Sequence, residues 1–269
     1  MKHVNILVEP LALMWRNRTR LREGIGLDLR AKYSGSVLGL VWAFLFPAMQ
    51  LAIYTGLYTV IFRIRPAGLT EFGYVLLVFS GLVPLLAFSE ALTTSIGSLA
   101  SNKSLLLSTI FPAELIPLRA ILAGQLPMLF GLGITMALGF GMGHSGWEAI
   151  VLVPVFWILM LMFAAGLGWI MALFTLVARD LQQGIGLILM LLVFLSPFAY
   201  TPEMVPSTIK AILYLNPLSY FVLSFQQLIC YGTLPELIPA LGSAVLGIVT
   251  FYFGFWLFQR TKHTFFDFA

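Results

Sequence analysis

Long apolar stretches without charged residues are the feature of this sequence that most limits what it can fold into. A helix needs about 20 mostly apolar residues to cross a hydrocarbon core about 30 Å thick. Six stretches reach or approach that length: residues 39–62, 74–97, 120–143, 149–177, 185–201 and 237–258. The sequence therefore predicts an all-α integral membrane protein with six transmembrane helices.

Composition supports the membrane assignment. Hydrophobic residues make up 60% of the chain and charged residues only 10%, against about 25% charged residues in a soluble domain. A soluble domain of 269 residues has too little interior to hide so much apolar surface. This excludes a soluble enzyme, a disordered chain and a nucleic-acid-binding protein. The single cysteine, Cys230, excludes an intrachain disulfide.

The distribution of Lys and Arg predicts the orientation. With six spans both termini lie on one side of the membrane, and that side then carries 12 of the 15 basic residues, leaving Arg63, Arg65 and Lys210 on the other. By the positive-inside rule both termini are cytoplasmic. We expect three parts: a cytoplasmic N-terminus with an interface helix over residues 1–38, a transmembrane domain over 39–258, and a cytoplasmic tail over 259–269.

The segment 202–236, between the fifth and sixth predicted spans, does not resemble a simple loop. It holds four prolines and two apolar stretches, 209–215 and 218–231, each too short to cross the membrane. Two re-entrant outer helices, which enter the outer leaflet and return, fit this pattern if protein or a water-filled cavity surrounds their non-helical backbone. A helix lying on the outer surface is the alternative.

Residues 16–33 precede the first span and combine basic with apolar side chains. An apolar side chain recurs every four residues, at Leu21, Ile25, Leu29 and Tyr33. The basic residues fall largely off that face, which predicts an amphipathic helix in the cytoplasmic membrane interface. Gly24 and Gly26 predict a break in it. The alternative is plain anchoring by basic residues without a further role.

A row of aromatic residues, the aromatic line, follows the first span. Five aromatics and one amide stand four residues apart: Trp42, Phe46, Gln50, Tyr54, Tyr58 and Phe62. Aromatic rings stack on the C–H faces of sugars, and Tyr and Trp add a polar tip, so the line is a candidate conduit for a long glycan. Phe194 and Phe198 repeat the spacing in the fifth span. Packing between helices and anchoring at the membrane interface are the alternatives.

The sequence contains none of the common catalytic or nucleotide-binding signatures. It has no G-x-x-x-x-G-K-[ST] loop, no H-E-x-x-H, no cysteine pair for zinc and no G-x-S-x-G. We therefore expect no enzymatic activity, metal or cofactor on this chain. Glu90 lies inside a predicted span and is a functional candidate by position; a carboxylate hydrogen-bonded to a neighbouring helix is the alternative. The apolar loop 98–118 indicates docking to a partner.

Several motifs resemble those of the permease subunits of polysaccharide-exporting ABC transporters. The opening motif of that family, basic-Tyr-x-x-Ser-x-Leu-Gly-x-x-Trp-x-x-x-x-Pro, is carried here by Lys32, Tyr33, Ser36, Leu38, Gly39, Trp42 and Pro47. Weaker matches follow in order at 79–92, 111–118, 178–180 and 216–221. The resemblance covers nearly the whole chain and is closest to O-antigen exporters, with teichoic-acid and capsule exporters next.

The resemblance implies a transport machine in the bacterial inner membrane. In it, two copies of the chain form a channel, and two separate ATP-binding cassette subunits hold ATP and Mg²⁺. The substrate is a polysaccharide on an undecaprenyl pyrophosphate carrier. The loop 98–118 becomes the coupling helix that meets the ATPase, with Lys103, Phe111, Pro112 and Glu114 as contact residues. Arg30 and Lys32 become candidates for attracting the pyrophosphate, and 202–236 becomes the periplasmic gate.

Two departures from the family pattern and several other functions stay open. Leu85 stands where members often have an aromatic residue, and Gln226 and Gln227 stand where many have an Arg, so a role resting on that Arg is not expected here. The alternatives are an exporter of capsule or teichoic acid, an ABC type-2 exporter of small hydrophobic compounds, and an embedded enzyme of lipid-linked glycan synthesis. A secondary transporter is disfavoured because no convincing inverted repeat is present.

Overall fold

The computed structural model describes residues 8–57, 69–106, 111–206, 208 and 210–266. Every regular element within those ranges is helical, in agreement with the predicted all-α class. Short 3₁₀ turns lie at Gly39–Val41 and Pro202–Met204. The α-helices, numbered in chain order, are α1 (Glu9–Arg16), α2 (Arg18–Tyr33), α3 (Trp42–Gly56), α4 (Glu71–Ile96), α5 (Ser98–Ser101), α6 (Lys103–Leu106), α7 (Leu115–Gly141), α8 (Glu148–Val177), α9 (Leu181–Leu195), α10 (Lys210–Leu215), α11 (Pro217–Ile229) and α12 (Leu237–Phe266).

Five helices of the described residues are long and apolar enough to cross a membrane. They are α3 with the 3₁₀ turn before it, α4, α7, α8 and α12. Each lies on a predicted span, with its bounds shifted by a few residues. The fifth predicted span, 185–201, is occupied by α9, whose 15 residues extend about 22 Å, less than a hydrocarbon core of about 30 Å. The count of six spans therefore stays a prediction.

Pro197 accounts for the early end of α9. The residue before a proline disfavours helical backbone, and Ser196 is extended, with ψ at 141°. Asn216 holds the broken end, because its Nδ2 donates to Leu192 O at 2.9 Å and to Ser196 Oγ at 2.8 Å. Its Oδ1 accepts from Leu218 N at 3.0 Å. One buried amide thus closes α9 and caps α11.

The helix α4 lies at the centre of the bundle and α3 at its edge. In α4, 78% of the residues of the apolar span are buried, against 17% for α3. α4 packs against α7, α8 and α11, while α12 lies along α8. Glycines bring α8 and α12 close together, since a Cβ on Gly166 or Gly254 would collide with the backbone of the other helix. The edge position leaves an apolar face of α3 uncovered.

The segment 202–236 contains α10 and α11, close to the two apolar stretches predicted there. α11 is mostly buried among α4, α8 and α12. Phe221 stacks on Phe163 with ring centroids 5.8 Å apart, and Phe225 meets Trp157 edge-on at 6.1 Å. Burial of α11 disfavours the alternative of a helix on the outer surface. The depth at which this segment enters a membrane stays a prediction.

The helices α1 and α2 lie at the end of the bundle where α7 begins and α12 ends. We call this the terminal end and the opposite one the far end. The break predicted at Gly24 and Gly26 is wrong, because α2 is continuous and the chain turns at Asn17 instead. Gly24 lies against the Arg119 side chain, where a Cβ would collide with Cδ. The glycine therefore allows a close approach rather than a helix break.

Candidate functional site

The candidate site begins with a buried charge network at the terminal end. Arg119 donates to the Asp28 carboxylate twice, from Nε to Oδ2 at 2.7 Å and from Nη2 to Oδ1 at 2.9 Å. Its Nη2 also lies 3.1 Å from Asn102 Oδ1. Only 7% of Arg119 is exposed. A bidentate pair fixes relative orientation, so the network joins α2, the N-terminal part of α7 and the junction between α5 and α6.

A second buried ion pair holds the last turns of α12. Lys262 Nζ donates to Glu114 Oε1 at 2.6 Å, and Glu114 is 4% exposed. The carbonyl oxygen of Glu114 accepts from Trp169 Nε1 at 2.7 Å. Gln259, one turn earlier on α12, donates to Glu9 Oε1 at 3.2 Å. The end of α12 is thereby attached both to α1 and to the start of α7.

A third ion pair, between Lys32 and Glu90, lies in the wall of a cavity. Lys32 Nζ is 2.5 Å from Glu90 Oε1, and the two side chains are 42% and 28% exposed. The cavity encloses about 300 Å³, and the predicted conduit residues Trp42 and Phe46 line it together with the ion pair. Glu90 is therefore bound to a residue of α2, as the hydrogen-bonding alternative expects, but it also faces a space that a ligand can enter.

The aromatic line leads from this cavity towards the far end. After Trp42 and Phe46 comes Gln50, whose Oε1 is buried without a hydrogen-bond partner among the described residues. Tyr54 meets Phe198 edge-on, with ring centroids 6.3 Å apart. The structure thus brings Phe198, one of the two candidate residues of the fifth span, into contact with the line. Tyr58 and Phe62 lie outside the described residues, and Phe194 is 66% exposed on α9.

Packing between helices does not account for the start of the aromatic line. The buried face of α3 is the adjacent row of Ala43, Pro47 and Leu51, and Pro47 lies against Gly131 of α7. Phe46, by contrast, is 54% exposed. The helix therefore packs with one row and presents the neighbouring aromatic row.

The remaining predicted residues lie on or near the terminal surface. Arg30 is exposed on α2, beside a shallow groove that also contains Arg22. Lys103 lies in a cleft of about 330 Å³ with Arg179 and Gln182, between α6 and the turn before α9. Phe111 and Pro112 are half-buried. Among the four predicted ATPase contacts, Glu114 differs, because it is buried against Lys262 of the same chain.

Sequence reasoning missed the pairing partners. Arg119 and Lys262 count there only among the 12 basic residues of the cytoplasmic side, and Asp28 receives no role. A signal for Arg119 exists, since it is the single charged residue of the 27-residue helix α7, and a charge at the base of a long apolar helix requires a partner. No local pattern indicates that the partner is Asp28.

The glutamines that replace the family's Arg have a clear structural role. Gln226 is 2% exposed, and its Nε2 donates to Pro197 O at 2.8 Å, with Leu77 O and Phe198 O at 3.4 Å. These carbonyls include those freed where α9 is broken at Pro197. A neutral amide satisfies them without burying a charge.

Comparison with known proteins agrees with the motif resemblance. The sequence profile of the ABC-2 type transporter family matches residues 28–230. The chain is similar to the O-antigen export system permease protein RfbA of Myxococcus xanthus, at 27% identity, and of Klebsiella pneumoniae, at 28%, in each case over 88% of this chain and 90% of the other. It is also similar to the polysialic acid transport protein KpsM of Escherichia coli, at 21% identity over 87% of this chain and 90% of the other.

The Arg119–Asp28 pair predicts that removing Asp28 lowers the stability of the protein more than removing Glu23, another acidic residue of α2. Asp28→Ala should destabilise the protein by about 1–3 kcal/mol, because it leaves a buried guanidinium unpaired. Glu23→Ala, at an exposed position of α2, should change stability by less than about 0.5 kcal/mol. Thermal unfolding in lipid nanodiscs measures both. Adding Arg119→Met to Asp28→Ala should recover part of the loss, and equal midpoints for Asp28→Ala and Glu23→Ala would contradict the pairing.

Proposed function

The chain belongs to the ABC-2 type transporter family, as a permease homologous to O-antigen and polysialic acid exporters, and from this premise we propose that it is the membrane subunit of an ATP-driven polysaccharide exporter. It moves a lipid-linked polysaccharide of the O-antigen type from the cytoplasmic to the outer side of the bacterial inner membrane. The observation that carries the proposal is similarity to O-antigen export permeases over nearly the full length of both chains.

The proposed channel is a homodimer with six spans in each copy. The uncovered face of α3, which includes Met49 and Ile53, and the exposed apolar side of the short helix α9 support a second copy. A helix of about 22 Å matches a bilayer poorly on its own but is tolerated where protein surrounds it. The terminal end faces the cytoplasm, because it carries most of the basic residues. The segment 202–236 enters from the outer side as the gate.

The proposed substrate path begins at Arg30 and Lys32 and follows the aromatic line. Exposed Arg30 attracts the pyrophosphate of the lipid carrier to the membrane surface. Lys32 is held by Glu90, so the pyrophosphate must compete with that carboxylate to bind it. Trp42 and Phe46 line the cavity beside the pair, where the first sugars of the glycan would stack. The glycan then passes Gln50 and Tyr54, and the outer part of the line receives it.

The proposed ATPase contact lies at the terminal end, around the coupling segment 98–118. Lys103 with the neighbouring Arg179 and the half-buried Phe111 and Pro112 meet the ATP-binding cassette subunit. Glu114 does not contact the ATPase itself. Its ion pair with Lys262 attaches the start of α7 to α12. Movement imposed by the ATPase on this segment then reaches α2 through Arg119 and Asp28.

An exporter of capsule polysaccharide is the second candidate. It is favoured by similarity to the polysialic acid transport protein over 87% of this chain. That identity of 21% is lower than the 27–28% to the O-antigen export permeases, so the O-antigen type stands first.

Separation of transport and hydrolysis between subunits predicts a specific pattern of ATPase activity. The purified chain should hydrolyse no ATP, and the complex with the ATP-binding cassette subunit of its own host should do so. Phe111→Ala should reduce the amount of that subunit that co-purifies, because it removes an apolar side chain from the proposed contact. Phe265→Ala, another half-buried aromatic of the terminal end, is the control. Catalysis on a lipid-linked glycan without any ATPase subunit would contradict the proposal.

A conduit role for the aromatic line predicts a loss of export without a loss of assembly. The double variant Phe46→Ala, Tyr54→Ala should reduce surface polysaccharide by about fivefold or more, because two lost ring contacts together remove about 1–3 kcal/mol of binding. Val245→Ala with Val249→Ala changes two exposed apolar positions of α12, outside the line and outside the uncovered face of α3, and should leave export near normal. Immunoblots of membranes measure assembly. Normal export from the Phe46 and Tyr54 variant would remove the conduit role.

A further inference from the structure

A separate cavity lies at the far end and shares no residue with the aromatic line. It encloses about 550 Å³, within the range of about 300–1,000 Å³ that is usual for ligand sites. Its walls come from five segments: the 3₁₀ turn Pro202–Met204, α10, α11, the loop 230–236 and the start of α12. These walls belong largely to the proposed gate segment 202–236, but the gate role assigns no ligand to this space.

The walls of this far-end cavity are fixed by hydrogen bonds. The carbonyl oxygen of Gln227 accepts from Thr233 N at 2.9 Å, and its side-chain Oε1 accepts from Glu236 N at 2.9 Å. Tyr220 Oη donates to Tyr214 O at 2.8 Å and joins α10 to α11. A wall held in this way needs little ordering when a ligand binds, which lowers the entropy cost of binding.

Several polar groups of the cavity have no hydrogen-bond or ion-pair partner in the part of the chain that the structure describes. Among the described residues, the side chains of Glu203, Lys210 and Glu236 take part in no hydrogen bond or ion pair. Gln226 is 2% exposed and donates through Nε2 to Pro197 O, yet no described donor reaches its Oε1. Glu203 and Glu236 are exposed and Lys210 is half-buried, so all of these groups are free to form hydrogen bonds with a ligand.

The cavity combines these polar groups with two tyrosine rings. Tyr214 and Tyr231 are 40% and 43% exposed. Burial raises the pKa of Tyr231, and the neighbouring Cys230 and Glu203 raise it further, so its hydroxyl stays protonated and can donate. The rings offer flat apolar surface, and the carboxylates and amide oxygen accept hydrogen bonds from hydroxyl groups. This mixture matches a sugar, whose rings have apolar faces and hydroxylated edges.

The net charge of the cavity walls determines which sugars can bind there. Glu203 and Glu236 contribute two negative charges and Lys210 one positive charge. A carboxylated or phosphorylated sugar therefore meets net repulsion at close range, and an uncharged sugar does not. We infer that the far-end cavity is a binding site for the neutral sugar units of the glycan as it leaves the channel. This inference rests on the proposed function, which supplies the glycan and places the far end outside the cytoplasm.

Saturation-transfer NMR on the full-length chain in lipid nanodiscs tests the site. The neutral probes are tetrasaccharide fragments of dextran, mannan and rhamnan, and the acidic probe is a sialic acid tetramer. At least one neutral probe should bind saturably and more tightly than the acidic one. Tyr231→Ala should weaken its binding about two- to tenfold, the effect of one ring contact. Glu203→Gln, a conservative change on an exposed turn, should weaken it and reduce discrimination against the acidic probe.

Glu148→Gln is the matched control, because Glu148 begins α8 at the same end outside the cavity; it should leave binding unchanged. If Phe46→Ala abolishes binding and the cavity variants do not weaken it, the sugar binds at the aromatic line and the inference is wrong. The inference is also wrong if no neutral probe binds. Surface polysaccharide in cells with the same chain is measured in parallel. Export without neutral-sugar binding contradicts the site alone, whereas binding without export contradicts the exporter assignment alone.

Discussion

The cost of an unpaired charge in a low-dielectric interior governs the terminal end of this fold. The two charged side chains buried among the described residues are Arg119 and Glu114, and each is bound to an opposite charge. Their partners lie on α2 and α12, so pairing draws both ends of the chain onto the start of α7. The segment 98–118, the proposed coupling segment, is therefore attached where α7 begins to both α2 and α12.

The same arrangement connects the membrane surface with the proposed path. α2 carries Asp28, which binds the base of α7, and one turn later Lys32, which binds Glu90 on α4. A carrier headgroup that displaces Glu90 from Lys32 acts on the helix that is anchored to the coupling segment. The proposed carrier site and the proposed ATPase contact are thus joined through α2. The aromatic line starts at this ion pair and reaches Phe198, three residues after the end of α9.

Much of the architecture could be predicted from local sequence patterns. The long-range ion pairs could not. Hydropathy located the long spans, because each depends only on its own residues. The ion pairs join residues 91 and 148 positions apart, which no local spacing encodes. Gly24 misled the prediction because its propensity favours a break, whereas contact with Arg119 decides its role. Pro197 ends α9 through the local preference of the residue before a proline for extended backbone. The helix is therefore shorter than hydropathy alone indicates.

Polysaccharide on the surface of a strain that lacks this chain measures most directly whether the chain exports a lipid-linked glycan. Export through this subunit predicts that surface polysaccharide disappears, that lipid-linked polysaccharide accumulates at the cytoplasmic side of the inner membrane, and that the wild-type chain restores both. Intact surface polysaccharide in the deletion strain, with no accumulated intermediate, would contradict that function and favour an exporter of small hydrophobic compounds.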